Sequence, residues 1–278
     1  MQQYGDLMMK SNEDFASCHA EAVKLKGYTI IKSILTTEDI LKFKAKILEI
    51  YGRQVAQFGE QELLDIKESN VARCILKYDY DLFKKMIFNA SILEIVSKLI
   101  EQKYVLSLQN AVLNKGINHH QGSWHRDLPY QNFLCNEILS VNVLYALDPF
   151  TEESGGTCLL PYSMHFTNMP SNEFIEENML QPKLDPGDIL IFNSMILHRA
   201  GQNLNGVQRI SVNNQFIRPF IQPQYRFNEI EPIKNRVLEF SPQEKDILGF
   251  NFPSIIDDID WRNNRLQRAG LELFKVEP

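Results

Sequence analysis

Long apolar runs are missing from this chain of 278 residues, and so is any excess of basic charge. No hydrophobic stretch reaches the roughly 18 residues of a membrane span. No N-terminal segment joins a basic region, an apolar stretch and a cleavage site, so neither a membrane protein nor a secreted one is expected. Lys and Arg number 29 against 35 Asp and Glu, a formal net charge of -6. Binding a nucleic-acid backbone takes clustered cations, so this balance speaks against DNA or RNA as partner. It leaves room for a local basic pocket around a small acid. Cysteine is also scarce. The four residues Cys18, Cys74, Cys135 and Cys158 lie far apart and form no C-x-x-C pair. Reduced, mostly buried thiols in a cytoplasmic protein are the expectation. Internal repeats, low-complexity tracts and linkers are absent from the sequence. A chain of this length buries a sizeable core without covalent staples.

The texture of the chain changes partway. Residues 14–26 read as a helix that Gly27 ends, as glycine at a C-terminal cap does. Tyr28-Thr29-Ile30-Ile31 reads as a short strand. Thr37-Glu38-Asp39 caps a helix over residues 40–51, with Ile40, Leu41, Phe43, Ile47 and Leu48 at helical spacing. A further helix is expected over residues 91–102. Beyond residue 104, short apolar stretches alternate with turns at 105–113, 138–147, 157–160, 188–192 and 209–216. Gly155-Gly156 and Pro186-Gly187-Asp188 punctuate them. The fold class is therefore mainly β with flanking helices, a sandwich or barrel. The chain is read as a single domain over residues 1–278. It comprises a helical part at about 14–103, a β core at about 104–220 and a C-terminal wrap at about 221–278.

Trp124-His125-Arg126-Asp127 is the sharpest local feature. Residues two apart on a strand share a face, so His125 and Asp127 can reach one ion together. A second histidine, His198, follows the apolar strand that Pro186-Gly187-Asp188 opens. Two imidazoles and one carboxylate with open positions make the facial triad of non-haem Fe(II) oxygenases. Arg209 lies eleven positions further on. A buried arginine is costly unless it meets an anion, and its planar fork suits a carboxylate. Ser211 shares its strand face. An iron triad followed by such an anchor is the layout that 2-oxoglutarate requires.

Several stretches together resemble the phytanoyl-CoA dioxygenase family of Fe(II)- and 2-oxoglutarate-dependent oxygenases. They are Lys26-Gly27-Tyr28-Thr29-Ile30-Ile31 with Leu35-Thr36-Thr37-Glu38, Leu113-Asn114-Lys115-Gly116, His125-Arg126-Asp127-Leu128-Pro129-Tyr130, and Gly187-Asp188 through His198-Arg199-Ala200-Gly201 to Arg209. Phe240-Ser241-Pro242 through Leu248-Gly249-Phe250 adds a C-terminal match. Gly156-Thr157-Cys158-Leu159-Leu160-Pro161-Tyr162-Ser163-Met164-His165 is similar to the family's G-x-L-x-x-x-P-G-S-H segment. Here Tyr162 stands where glycine is usual, and Met164 is an extra residue before His165.

The resemblance implies a double-stranded β-helix (a jelly roll, cupin-like). It implies iron held by His125, Asp127 and His198, and the distal carboxylate of 2-oxoglutarate held by Arg209. Lys115 and Asn142 fall in stretches that contribute to the cosubstrate pocket in relatives. The implied reaction hydroxylates or otherwise oxidises a C–H of a small-molecule substrate while 2-oxoglutarate and O2 become succinate and CO2. Halogenases of this type carry a small residue at the carboxylate position, so Asp127 favours hydroxylation or desaturation. Two alternatives stay open: a non-catalytic metal- or ligand-binding relative, and a cupin-type metalloenzyme independent of 2-oxoglutarate. Arg126, Tyr130 and Gln131 are candidates for the substrate mouth, and His165 is a further one. Trp124 reads as core packing, His119 and His120 as loop residues, His19 as an exposed helix residue, and residues 167–183 as a lid. Neither the prime substrate nor the oligomeric state is written in the sequence.

Overall fold

The structure, a computed structural model, describes residues 14–101, 103–116, 122–128 and 133–273. Capping residues set the bounds of its helices. The Asp14 carboxylate accepts a hydrogen bond from Ser17 N at 2.7 Å and opens α1 (Phe15–Lys26). Gly27, at φ 95°, closes that helix in the left-handed region, where a Cβ would lie 2.7 Å from Ile196 Cδ1. The chain then enters β1 (Tyr28–Ile31). Thr36 caps α2 (Thr37–Phe58) by accepting from Asp39 N at 3.1 Å. This helix outruns the expected 40–51 at both ends. Its acidic first turn is helical, and its buried stripe continues through Ile40, Phe43, Ile47 and Ile50 to Gln54. Leu41 and Leu48 were expected on that stripe. They sit one position past it and are exposed.

The short α3 (Glu60–Asp65), β2 (Val71–Ala72), α4 (Tyr80–Ile87) and α5 (Ala90–Ile100) complete the N-terminal part. The sequence reading foresaw only α5 of these, because α3, β2 and α4 are each shorter than the window over which periodicity can be read.

The β core holds β3 (Val105–Asn114), β4 (Ser140–Ala146), β5 (Thr157–Leu160), β6 (Ile189–Asn193), β7 (Leu197–Ala200) and β8 (Arg209–Ile217). One sheet is antiparallel throughout in the order β1-β6-β4-β8-β3-β2, and β5 pairs with β7 in a second. Bridges His125–His198 and Leu159–Leu180 extend the smaller sheet by one segment on each side. The segments thus form two four-stranded layers, successive ones changing layer except at β5 and the segment at Leu180, which pair within the smaller one, and β1 and β2 are added at the edges of the larger one. This is a double-stranded β-helix.

Strand alternation divides the larger sheet into two faces. Val141, Val143 and Tyr145 of β4, Ile189 and Ile191 of β6, and Ile210, Val212 and Phe216 of β8 pack against α1, α2, α4 and α5 in the main core. Leu144, Ala146, Leu190 and Phe192 face the smaller sheet and meet Leu159 and Ile196 there. After β8, Phe227, Ile233, Phe240, Ile247 and Leu248 join the main core from the C-terminal side. They lie in or beside α7 (Glu231–Lys234) and α8 (Pro242–Ile247), while α9 (Asp258–Arg268) follows at the end.

Residues 167–183, expected as a lid, pack onto the smaller sheet. They contain α6 (Asn172–Asn178), whose Ile175 is buried against Leu160 and Leu197, and Leu180 pairs with Leu159. The thiols also differ from expectation, since Cys18 and Cys135 are exposed and Cys158 is buried. Among the described residues no helix is long and apolar enough to cross a membrane.

Candidate metal centre and cosubstrate pocket

His125 and His198 face each other across paired backbone hydrogen bonds, each N to the other's O at 3.0 Å. Asp127 N donates to Ser194 O at 2.9 Å and fixes the carboxylate two residues along. Both imidazoles are oriented the same way. His125 Nδ1 lies 2.8 Å from Ser123 O and His198 Nδ1 lies 3.0 Å from Ile196 O. A carbonyl only accepts, so each Nδ1 carries a proton, and in the neutral imidazole it is Nε2 that has the lone pair for an ion. The two Nε2 atoms converge on Asp127, at 3.5 Å from Oδ1 for His125 and 3.4 Å from Oδ2 for His198. The three potential ligand atoms lie within 4.8 Å of one another. Backbone carbonyls that set the histidine tautomers are the usual outer partners of metal-ligating imidazoles.

Burial pushes the Asp127 carboxyl up, but His198 and His125 together outweigh it and hold it well below the usual carboxylate range. For His125 the balance of burial, which lowers, against Asp127, which raises, ends above the ordinary imidazole value. The set is a carboxylate facing two nitrogen lone pairs, a donor set that fits a divalent first-row ion.

The triad shares a cavity with Val112, Leu144, Thr157, Phe192, Arg209, Ser211 and Asn213. Arg209 is 3% exposed. Its Nε donates to Ser154 O at 3.2 Å, its Nη1 lies 3.5 Å from Ser211 Oγ, and its guanidinium sits 4.1 Å from the Phe150 ring centroid. Among the described residues it has no carboxylate partner in a salt bridge. Asp148, the nearby acid, is taken up by Lys44 and by Ile210 N. Burial lowers the Arg209 pKa to about 10, with Asp148 opposing. A buried cation with no paired anion, in the cavity that holds the triad, fits the distal carboxylate of 2-oxoglutarate.

The other expected residues divide. Ser211 lines this cavity. Asn142 is fully buried and donates to Asp127 Oδ2 at 2.7 Å, so it touches the triad itself. Lys115, expected at the cosubstrate, is exposed and lies 4.5 Å over the Tyr51 ring. Arg126 does not line the substrate mouth. It is 5% exposed and donates to Met195 O (2.9 Å), Ser163 O (3.0 Å) and Phe166 O (2.6 Å), tying the metal strand to the turn after β5. In that turn Tyr162 adopts φ 65°, the conformation for which the family's glycine is suited. His165 is exposed beside Lys24 and Cys135, and does not line the triad's cavity. Trp124 packs against Leu160, Ile175 and Leu197. His19 is half-buried and bonds Thr29 Oγ1 at 2.7 Å. Tyr130, Gln131, His119 and His120 lie outside the described residues.

Asn213 and Arg73 were missed by the sequence reading. The alternation of β8 contained the signal for Asn213, which shares a strand face with Arg209 and Ser211. No local pattern marks Arg73, which arrives from the loop after β2. Both line a second chamber, with Ser107, Asn110, Gln215 and Gln224, that meets the first at Val112, Asp127 and Asn213.

The fold and this site together define the class of non-haem iron, 2-oxoglutarate-type oxygenases and related enzymes. Residues 23–211 match the family model described as phytanoyl-CoA dioxygenase (PhyH), and the chain belongs to that family. An uncharacterised protein of Mycobacterium tuberculosis is 25% identical over 261 residues, covering 90% of this chain and 93% of its own length. The dioxygenase af480 of Aspergillus fumigatus is 23% identical over 253 residues, covering 87% and 79%. Among solved structures, the non-haem monooxygenase ThoJ in its nickel complex superposes with a TM-score of 0.57 at 18% identity, covering 74% of this chain and 79% of that one. The epimerase SnoN in complex with Fe3+, alpha-ketoglutarate and nogalamycin RO gives 0.55 at 14%, covering 73% and 83%. At these identities the two structures are likenesses of fold.

Proposed function

We propose that this chain is an Fe(II)- and 2-oxoglutarate-dependent dioxygenase that oxidises an unactivated C–H of a small-molecule metabolite, by hydroxylation in the simplest case. One observation carries the reading: a triad with both imidazole tautomers preset shares its cavity with a buried arginine that lacks an anion. His125, Asp127 and His198 would hold the iron, and Arg209 with Ser211 would hold the cosubstrate carboxylate. Bound iron and cosubstrate supply the oxidising power for C–H cleavage.

The chain's own residues do the rest. Ser123 O and Ile196 O keep the two imidazoles in their liganding tautomer. Phe192 packs 4.8 Å from the His198 ring and, with Leu144 and Val112, gives the cavity an apolar wall that keeps water from the reacting atoms. The prime substrate enters the second chamber, beside Asp127. The wall there is rich in amides, and Arg73, the arginine that lines it among the described residues, is already paired with Glu68. Such a wall suits a compact, uncharged molecule bearing hydroxyl or carbonyl groups better than an acyl thioester of coenzyme A, whose phosphates call for several free cations.

The test is succinate formation by the purified protein with Fe(II), 2-oxoglutarate and O2. Succinate that needs all three and disappears in His198→Ala supports the assignment. Succinate formation that persists in His198→Ala would remove that residue from the ligand set.

A further inference from the structure

The hydrogen bonds around Asp127 have a direction that starts at the carboxylate. An ionised carboxylate only accepts. Asn142 therefore turns its Nδ2 toward it, 2.7 Å from Oδ2, and the same amide nitrogen lies 2.8 Å from Ser194 Oγ. With its donor group so placed, Asn142 Oδ1 faces the other way and needs a donor. Asn213 supplies one, its Nδ2 at 3.0 Å. That orientation leaves Asn213 Oδ1 buried with no partner among the described residues. The cost of an unsatisfied buried acceptor is tolerated at the end of a chain whose other end is an ionised group. Register puts the three side chains together. Asn142 and Asn213 both point inward, from adjacent positions on β4 and β8 where Asn142 faces Gln215 and Leu144 faces Asn213.

We propose that Asn142 and Asn213 are positioning residues that act in series on Asp127. Asn142 holds the carboxylate at the angle from which it faces both imidazoles, and Asn213 holds Asn142. On this assignment Asn142 works through the iron ligand and does not bind 2-oxoglutarate. Without Asn142 the carboxylate is free to rotate about its terminal torsion, which has broad minima, and the two oxygens lose their separate orientations toward His125 and His198. The inference rests on the reading of His125, Asp127 and His198 as metal ligands.

The test uses Co(II) as a redox-stable probe, titrated into the metal-free full chain under anaerobic conditions. Four proteins are compared: wild type, Asn142→Ala, Asn213→Ala and the double variant. Each is also assayed for thermal unfolding without metal and for 2-oxoglutarate affinity at saturating Co(II). Losing an outer partner of a metal ligand typically weakens the metal by about 10–100-fold. Asn142→Ala should fall in that range, with a changed Co(II) visible spectrum at saturation, which loss of fold stability alone would not produce. Asn213→Ala should weaken Co(II) less, with an unchanged melting temperature. The double variant should be no weaker than Asn142→Ala, since Asn213 acts only through Asn142. Affinity for 2-oxoglutarate at saturating Co(II) should stay at the wild-type value in all four.

Wild-type Co(II) affinity in Asn142→Ala overturns the proposal. So does a loss confined to 2-oxoglutarate, or a double variant in which the two losses add. If Asn142→Ala does not fold, Asn213→Ala decides alone, and unchanged metal affinity there overturns the series. Failure of the underlying reading looks different: wild type would not bind Co(II), or His198→Ala would bind it equally well.

Discussion

Replacing Arg209 with methionine should separate the anchoring of 2-oxoglutarate from the stability of the fold. The arginine is 3% exposed, stacks over Phe150, and among the described residues has Ser154 O and Ser211 Oγ within hydrogen-bonding reach. Methionine keeps an unbranched apolar stem against Phe150 and removes a buried charge that has no carboxylate partner among the described residues. Exchanging an uncompensated buried ion for an apolar group is neutral or stabilising, so the melting temperature of the ligand-free protein should hold or rise. Cosubstrate binding moves the other way. Truncating one side of a buried charge pair costs about 2–5 kcal/mol, which is about 30-fold to several thousandfold in affinity. The lower part of that range is expected, because the keto-acid end still meets the metal and Ser211 still offers a hydroxyl to the carboxylate.

The assay is anaerobic titration of the Fe(II)-loaded protein with 2-oxoglutarate, followed by the weak visible charge-transfer band of the chelate, and a parallel titration with pyruvate. Pyruvate has the keto acid and lacks the distal carboxylate. Wild type should prefer 2-oxoglutarate strongly, and the variant should bind the two acids about equally, with pyruvate affinity unchanged. An equal loss for both acids would mean that the substitution damaged the metal end. Undiminished 2-oxoglutarate affinity would mean that the anchor lies elsewhere.

Four other substitutions probe the frame and the pocket. Asp188 is 1% exposed and accepts from Lys32 Nζ (2.6 Å), Ser33 N (2.9 Å) and Asp185 N (2.7 Å). Burial pushes its carboxyl up, and these donors outweigh burial and hold it below the usual range. Its contribution is therefore present above the unfolded value near pH 4 and is lost as pH falls through the depressed folded value. Asp188→Asn should cost about 2–4 kcal/mol at pH 7 in denaturant unfolding, and a gap from wild type that fails to narrow below pH 4 would count against the ion pair. Arg126→Met strands the carbonyls of Met195, Ser163 and Phe166 and should cost about 2–4 kcal/mol; an unchanged melting temperature would show that water satisfies them equally well. Ser211→Ala should leave stability alone and weaken 2-oxoglutarate by about 3–10-fold, one hydrogen bond's worth, whereas Phe216→Ala on the opposite face should cost about 3–5 kcal/mol of stability with cosubstrate affinity intact.

The metal triad and the arginine were legible because each is tied to a strand whose pattern is strong. His198 follows the apolar strand that a Pro-Gly-Asp turn opens, lying just past it in β7 of the smaller sheet and not at its end, and Arg209 opens β8. The structure brings both into one cavity with His125 and Asp127. Lys115 was misplaced because it follows β3, where alternation no longer constrains direction, and a cation at such a point takes the nearest favourable surface, here the Tyr51 ring. Arg126 was misread for the opposite reason. Alternation between His125 and Asp127 directs it away from the cavity, and its interior position is stabilised by carbonyls of a distant turn that a sequence does not list side by side. Residues 167–183 look like a polar lid in composition, yet Ile175 and Met179 pack against Leu160 and Leu197, and a backbone bridge at Leu180 docks the stretch onto the smaller sheet. Burial of that kind depends on what lies opposite, which local pattern does not carry.

β8 shows how one strand serves fold and chemistry together. Its even-numbered residues Ile210, Val212 and Phe216 enter the main core, and Asn214 among them bonds Met86 O at 2.9 Å. Its odd-numbered residues Arg209, Ser211, Asn213 and Gln215 line the two cavities. A one-residue slip would exchange the faces, placing Arg209 among the isoleucines and phenylalanines beneath the helices and closing the cavities with apolar side chains. The apolar face enforces the register from one side. The pairing of β8 with both β3 and β4 enforces it from the other, over nine positions with β3 and seven with β4. The site therefore needs no separate scaffold: packing strong enough to fold the sheet also sets the spacing of the arginine, the serine and the asparagine along the cavity wall. The polar face adds little to that packing and answers to the ligands it meets, while the face beneath the helices is constrained by volume.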